Sequence, residues 1–527
     1  MPPEMTDAAP VRPPRLLIIS VFVAGMVTLA LELSASRLLG NIFGTSNLVW
    51  ANIIGLMLVY LTVGYFLGGR WADRSPYPRS FYLLLAWAAF LAGVIPLVAR
   101  PVLLAAVGAV ERLDAAIMVG SFLSVLILFS VPVILLGCVS PFAIRLAIRD
   151  PGHAGRVSGR MYAISTLGSI LGTFLPVLWL IPTIGTARTF LVFSVALLVV
   201  AFAGLWRSDR RLAVRLAWMP LVLLVWSWWS LTQPIKATTG QIYEDESAYN
   251  YIQVVERDGT RYLLLNEGQG VHSVYTPGQA ATYGTWDYFL AAPFWNASPE
   301  PGAEVKRLGL VGLAAGTIAK QYTQVFGPIP IDGWEIDPDI LAVGRAYFAM
   351  DEPNLNAVAA DGRWGLARSD QRYSVIGIDA YRLPYIPWQL TTREFFEEVR
   401  DHLLEDGVVV INVGRTPQDR RLIEGMVGTM GAVFPSLHVV DVPASLNTIV
   451  YATVQPTEPG NLVANLDRLA RRGADPLLID ILTRTVANLK PTPESAVVFT
   501  DDRAPIELLT NAVALQFLLV GDTEILR

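Results

Sequence analysis

The sequence predicts an α-helical membrane bundle of about seven spans, followed by an α/β domain built on an open parallel sheet. Three observations point there. Of 527 residues, 53% are hydrophobic and only 16% charged, and the apolar excess lies almost entirely before Pro234. Beyond it, strand-like runs alternate with helical periodicity. Three of those strand ends carry an acid, at Glu335, Asp361 and Asp379, in the register of a crevice beyond the carboxyl ends of parallel strands.

The apolar half contains runs long enough, or nearly so, to cross a hydrocarbon core of roughly 30 Å: Leu16 to Leu39, Val49 to Leu67, Phe81 to Ala99, Ala116 to Leu136, Met161 to Ile181, Phe190 to Leu205 and Leu216 to Leu231. The last two are short. The first run is long, lacks a small-residue cleavage site and leads directly into more spans, so a cleaved signal peptide is not expected. Arginines cluster at 12–15, 70–79, 145–160 and 207–215, in alternate connections, which places the N-terminus in the cytoplasm. Seven full crossings would leave the second half outside. The last run, however, carries Trp218, Trp226, Trp228 and Trp229, and indoles favour the interface; read as a surface or re-entrant segment, it leaves the second half cytoplasmic on an inner (plasma) membrane. Glu32 and Arg37, near one face of the first span, read as snorkelling or packing groups, with a polar intramembrane site as the alternative. The segment GYFLGGRWADR (64–74) resembles the cytoplasmic loop motif of major facilitator transporters, but the spans are about half of what such a transporter needs.

A net charge of −5 with no basic stripe argues against nucleic acid as a partner. The 4 histidines are scattered singly, and the one cysteine, Cys138, ends the fourth span and reads as a small buried residue, so neither a metal centre nor a disulfide is expected.

In the second half, Gln241 to Tyr275 alternates apolar and polar residues around Asp258-Gly259, a hairpin signal, and GVHSVY adds a further strand. Thr282 to Phe294 reads as an aromatic helix that supplies Trp286 and Asp287. RLGLVGLAAGTIAKQY then has the form strand, tight turn, helix; Gly312 and Gly316 let the backbone approach a ligand, and the helix presents its first amides to it. Glu335 ends the next strand roughly 20 residues on, where a carboxylate accepts both hydroxyls of a ribose. A pyrophosphate-binding GxGxxG is absent, so the expected ligand is a nucleoside without phosphates. NAVAAD ends at Asp361-Gly362, an acceptor for an adenine amino group, and YSVIGID ends at Asp379. Thr391 is expected to cap the following helix, with Glu394 completing a capping box. In the tail, Asp501, Asp502 and Glu507 precede an apolar helical pattern and read as helix-start residues, the alternative being charge for binding an amine. Four regions result: 1–234 transmembrane, 235–300 small β region and gate helix, 301–456 nucleoside-binding domain, and 457–527 helical extension.

From about Glu244 to Val454, these turns together with ESAYNYIQV (246–254), LNEGQGVHS (265–273) and TWDYFLAAP (285–293) resemble the spermidine synthase family of polyamine aminopropyltransferases, in its multi-spanning version. The resemblance implies a Rossmann-like, class I methyltransferase-type domain. It implies transfer of an aminopropyl-type group from decarboxylated S-adenosylmethionine, or a related transfer from S-adenosylmethionine, to an amine such as putrescine, without a metal. Its partners are then the amine and the lipid bilayer, and a homodimer is the assembly left open.

Residue by residue, the resemblance gives Glu335 the ribose, with Asp337 beside it, and gives Asp361 with Gly362 the adenine. Gly312, Ala315 and Gly316 form the cofactor turn, and Asn250 and His272 stand where glutamines are usual. Asp379 takes part in deprotonating the attacking amine, and Trp286, Asp287, Tyr381 and Arg382 line the acceptor side. Ala315 replaces an aspartate that holds the aminopropyl ammonium, Arg382 replaces a second loop aspartate, and Trp286 with Asp287 replaces a polar residue and a glutamate. Arg382 reverses the local field and suits a carboxylate- or phosphate-bearing substrate, unless it pairs with Asp379 or Asp337. Two alternatives stay open: methyl or aminocarboxypropyl transfer from S-adenosylmethionine, and a non-catalytic transporter or sensor that binds a nucleoside or polyamine.

Overall fold

The computed structural model describes residues 14–43, 46–110, 116–148, 150–232, 238–266, 270–297, 305–381, 386–416, 419–507 and 509–510. They form two compact units that divide at Ile235 and Lys236.

The first unit is helical: α1 (Arg15–Phe43), α2 (Asn47–Arg74), α3 (Pro78–Val110), α4 (Ala116–Ala147), α5 (Ala154–Leu175), α6 (Ile181–Ile184), α7 (Thr186–Ser208), α8 (Arg210–Arg215) and α9 (Trp218–Thr232). Among the described residues, 7 stretches are long and apolar enough to cross a membrane; α5 and α6 form one of them through a π-helical turn, Pro176–Leu180, and α8 with most of α9 forms the last. Without water to drive helices together, small residues let backbones meet. A methyl group on Gly64 would stand 2.4 Å from the Ile134 carbonyl oxygen, and one on Gly68 would meet Cys138, so α2 and α4 touch at these two glycines of the GYFLGGRWADR segment. Where they end, Arg145 Nε donates to Asp73 Oδ1 at 3.2 Å. Packing of α2 on α4 therefore accounts for that segment without a transporter.

The last run follows α3 and α7. Trp218 packs edge-on against Phe90 at 4.9 Å, and a methyl on Gly93 of α3 would meet both Ser194 of α7 and Leu223 of α9. The run that the sequence reading took as a surface or re-entrant segment is long and apolar enough to cross a membrane and packs on α3 and α7.

The second unit begins with a 4-stranded antiparallel sheet, β1 (Gln241–Glu246), β2 (Tyr251–Arg257), β3 (Thr260–Leu265) and β4 (Val271–Tyr275). Asp258 and Gly259 both take positive φ, as a two-residue turn between right-twisted strands requires. Leu263 pairs with Ser273 and Leu264 with Val271, leaving His272 as the extra residue of a bulge.

The larger sheet has 8 strands, ordered β12-β10-β11-β9-β8-β5-β6-β7. Its elements in chain order are β5 (Leu308–Val311), α10 (Thr317–Phe326), β6 (Ile331–Glu335), α11 (Pro338–Tyr347), β7 (Leu355–Ala359), α12 (Gly362–Ala367), β8 (Tyr373–Ile378), α13 (Arg393–His402), β9 (Leu403–Gly414), α14 (Arg421–Gly431), β10 (Ser436–Asp441), β11 (Asn447–Thr453), α15 (Pro459–Arg472), α16 (Pro476–Ala487) and β12 (Leu489–Lys490). Strands β5 to β9 are parallel, and β11 runs antiparallel beside β9. This is the topology of class I methyltransferases. The order reverses between β5 and β8, the switch point where such sheets open a crevice. Central strands are apolar on both faces because both are covered: Val408 and Val410 enter one core, Val409 and Ile411 the other.

Two local expectations change. The aromatic segment is a 3-10 helix, Thr285–Trp295. Pro293 has no N–H, and side chains from elsewhere occupy the carbonyls: Tyr451 donates to Tyr288 O, Tyr322 to Phe289 O, Asn465 to Phe294 O and Asn461 to Trp295 O. The cap of α13 is Thr392, which accepts from Phe395 N, while Thr391 bonds back to Trp388 O. Glu394 completes no box; it accepts from Asp501 N. Asp501 itself takes Arg363 at 2.8 Å and the Thr392 hydroxyl at 2.7 Å, so it ties the tail to α12 and α13.

Candidate active site

After β5 the chain turns at Gly312, with φ +89°, and a methyl there would lie 2.6 Å from the Asp379 carbonyl oxygen. Only glycine lets this turn rest against the residue that follows β8. Gly312 N and Leu313 N both donate to Trp334 O, and Ala314 N donates to Glu335 Oε2 at 2.9 Å. Glu335 thus ends β6 buried under the turn, its other oxygen taking Asp337 N at 3.1 Å. Burial pushes its carboxyl up to about 7, although the Asp337 and Ala314 amides pull the other way.

Asp361 follows β7, next to Glu335 because Ala360 N donates to Glu335 O, and it caps α12 through Trp364 N at 3.0 Å. Gly362 opens that helix against Val311. Asp379 follows β8; its amide donates to Val311 O, and its Oδ1 accepts from Asn412 Nδ2 at 3.0 Å. Burial lifts its carboxyl to about 6, opposed by hydrogen bonds from Asn412 and Trp286. Tyr381 donates to Asn412 O at 3.0 Å, and burial holds its phenol well above the ordinary range. The structure therefore brings Glu335, Asp361 and Asp379 to one edge, around the Gly312 turn, with Trp286 and Tyr381 at Asp379.

Other residues lie differently. Asp337 is fully buried, caps α11, and accepts from Ser247 Oγ at 2.5 Å and Asn250 Nδ2 at 2.9 Å. Asn250 and Asp337 thus fasten the small sheet to the crevice. The Ala315 methyl is buried in an apolar cluster with Ile252, Val254 and Ile340, while its amide donates to Ser273 Oγ. Gly316, with φ +85°, is the N-terminal cap of α10 and packs on Met350. Among the described residues His272 Nε2 is buried with no hydrogen-bond partner, and burial lowers its pKa to about 4, so the ring is neutral at pH 7.

Asp287 departs furthest from its expected place at the acceptor. It is 0% exposed and takes Thr282 N, Thr282 Oγ1 and Gln321 on Oδ1, with Tyr283 N and Arg484 on Oδ2. With five donors the carboxylate is saturated. Arg382 lies outside the described residues. Sequence reading missed Asn412, Ser247, Ser273, Gln321 and Arg484. Only Asn412, a lone amide within the apolar run VVVINVG, carried a signal. Among the described residues, no group of three or more His, Cys, Asp or Glu is placed to hold a metal.

A methyltransferase-type sheet with a buried acid at the second strand and another at the switch point defines a nucleoside-binding transferase class. No family model matches the chain. A probable polyamine aminopropyl transferase of Bifidobacterium longum (strain NCC 2705) is 30% identical over 286 residues, 51% of this chain and 62% of that protein, so the match leaves over a third of that relative uncovered. The polyamine aminopropyltransferase of Vibrio vulnificus (strain CMCP6) is 27% identical over 306 residues, 55% of this chain and 98% of the relative. The crystal structure of a probable spermidine synthase from Corynebacterium glutamicum ATCC 13032 superposes with a TM-score of 0.38 at 20% identity, covering 45% of this chain and 89% of that one. Over about half of its length the chain is similar to polyamine aminopropyltransferases, the spermidine synthase family.

Proposed function

We propose that the second unit is a membrane-anchored aminopropyltransferase-like enzyme that binds decarboxylated S-adenosylmethionine and alkylates an amine. The observation that carries this is the Asp379 carboxylate, held by Asn412 on the turn that also faces Glu335. The residues fit the nucleoside: Glu335 Oε2 accepts from Ala314 N and Oε1 from Asp337 N, and a carboxylate has further lone pairs for ribose hydroxyls, while Asp361 uses Oδ1 for Trp364 N and has its other oxygen for an adenine amino group.

The bound sulfonium nucleoside supplies an activated carbon and a neutral thioether leaving group. What the chain must add is position and a proton acceptor. An alkyl amine, with a pKa of roughly 10.4, is protonated at neutral pH and has no lone pair for attack. Asp379, near 6, is ionised at pH 7 and able to take that proton. Tyr381, bonded to the carbonyl of the same Asn412, stands beside it and shapes the amine's approach. The amine, putrescine or a relative, and a lipid bilayer around the first unit are the partners this reading requires, and a homodimer is compatible with it.

A second reading is transfer from S-adenosylmethionine itself, by methyl or aminocarboxypropyl chemistry. Ala315 favours it: with its methyl packed among apolar side chains, that position offers no anion to an aminopropyl ammonium. The test is incubation of the purified protein with each sulfonium nucleoside and putrescine. Methylthioadenosine from the decarboxylated co-substrate, lost in Asp379→Asn, supports aminopropyl transfer. S-adenosylhomocysteine supports methyl transfer, methylthioadenosine from the carboxylated co-substrate supports aminocarboxypropyl transfer, and nucleoside binding without turnover leaves a sensor or transporter.

A further inference from the structure

We infer that Arg415 and Arg420, two arginines that share one aspartate, form an oxyanion-binding site at the carboxyl end of β9, built for a phosphate or carboxylate group. The inference stands on geometry and needs no transfer reaction.

Strand ends bring these residues together. Arg415 follows β9 directly, and its amide donates to Leu446 O, just ahead of β11. The turn from Thr416 to Asp419 is closed by Thr416 N on Asp419 O at 3.2 Å and by Asp419 N on Thr416 Oγ1 at 2.9 Å, so the chain doubles back and brings Arg420 to the same carboxylate as Arg415. That carboxylate is Asp441, the last residue of β10. Thr448 of β11 pairs with Val413 of β9 on one side and with Asp441 on the other, which keeps the three strand ends in register.

The charges there do not balance. Asp441 Oδ2 accepts from Arg420 Nη1 at 2.8 Å, and its Oδ1 accepts from Arg420 Nη2 at 3.0 Å and from the Thr448 hydroxyl at 2.7 Å. Arg420 thus occupies both oxygens as a fork. Arg415 keeps only an ion-pair contact, Nε standing 3.4 Å from Asp441 Oδ1, and among the described residues its side-chain nitrogens make no hydrogen bond. Yet that side chain is only 12% exposed. The neighbouring acid, Asp419, is taken by Arg421. Burial holds the Arg415 guanidinium below its ordinary pKa, with Asp441 opposing and Arg420 reinforcing the shift.

A guanidinium carries five N–H donors, and a buried cation left without acceptors is costly. An oxyanion supplies the missing negative charge together with the paired acceptors that the planar fork matches. The site lies three residues beyond Asn412, the residue that holds Asp379, or about 10 Å along an extended strand. An anion bound there therefore neighbours the Asp379 end of the crevice.

The test titrates inorganic phosphate, and separately acetate, into the full chain by calorimetry, each against chloride at equal ionic strength. The parent should bind at least one of them saturably; phosphate alone marks a phosphate ligand, and acetate alone a carboxylate. Arg415→Gln should weaken that binding roughly 10- to 100-fold. Without added anion the same variant should melt no lower than the parent, because the cation removed made no hydrogen bond and Asp441 keeps Arg420. A purely structural Arg415 predicts the reverse, a lower melting temperature with anion binding unchanged. Unchanged binding, or no saturable binding in the parent, overturns the site. Should Arg415→Gln fail to fold, Arg415→Lys is read instead: it keeps the charge and loses the fork, so weaker binding than the parent upholds the site and equal binding overturns it. Turnover is read at no stage, so the result is independent of the transferase reading.

Discussion

Asn412 donates its side-chain amide to Asp379 Oδ1 across 3.0 Å, from the strand next to the one that Asp379 follows. The bond favours the ionised carboxylate and partly offsets the burial that lifts it to about 6. A base works only when ionised, so turnover should fall as pH drops through 6 and level off above it. Asp379→Asn should lower kcat by roughly 100- to 10,000-fold and leave adenosine binding in place. Asn412→Ala should move the acid limb upward, so that its loss of rate is greater at pH 6 than at pH 8. Pre-steady-state rates across that range check both.

Glu335 gives a second pH signature. Its carboxyl stands near 7 in the fold against an ordinary value of 4.5. Ribose hydroxyls donate to the ionised form, so nucleoside affinity should rise with pH through 7, and Glu335→Gln should remove that slope and weaken binding roughly 10- to 100-fold. Stability has the opposite sense. The folded state holds the proton more tightly than the unfolded chain, so stability falls between pH 4.5 and 7, and the Gln variant, which has nothing to ionise, gains melting temperature relative to the parent as pH rises. Calorimetric titration and melting at several pH values separate the two.

Gly312 has no room for a methyl. At φ +89° an alanine is strained, and its Cβ would press on the Asp379 carbonyl at 2.6 Å. Gly312→Ala should cut kcat/KM by roughly 100-fold or more, and crystal or solution structure comparison should show the loop after β8 displaced.

The strand-end acids were legible because parallel strands bury both faces and place polar residues only at their ends; Glu335, Asp361 and Asp379 therefore stand out from apolar runs. Asp287 was misread because its position in an aromatic helix near the acceptor side says nothing of the donors that saturate it. Two of these, Gln321 and Arg484, come from other elements, and Arg484 lies nearly two hundred residues away in sequence, roughly the span of a whole domain. Thr391 and Thr392 differ by one position, and no pattern decides between adjacent threonines as a cap. The 3-10 helix was hidden for a similar reason: its carbonyls bond to Tyr322, Tyr451, Asn461 and Asn465, partners that only the fold supplies.

A prediction for the side of the membrane follows from α9. Its 15 residues measure about 22 Å, less than a hydrocarbon core of roughly 30 Å, which by itself suits a segment held in one leaflet. Its neighbours say otherwise. Gly93 of α3, Ser194 of α7 and Leu223 of α9 meet, so α9 packs against two of the long apolar helices. Arg207, Arg210, Arg211 and Arg215 lie where α7 leads into α9, Arg74 and Arg79 where α2 leads into α3, and arginine-rich ends face the cytoplasm. With α9 counted as a crossing, as its length and composition allow, the expected outcome is a chain that ends on the outer face. A phosphatase that is active only outside, fused after Arg527, should therefore be active, and a fluorescent protein that matures only in the cytoplasm should stay dark. The reverse result would mean that α9 does not cross, and would place the second unit in the cytoplasm.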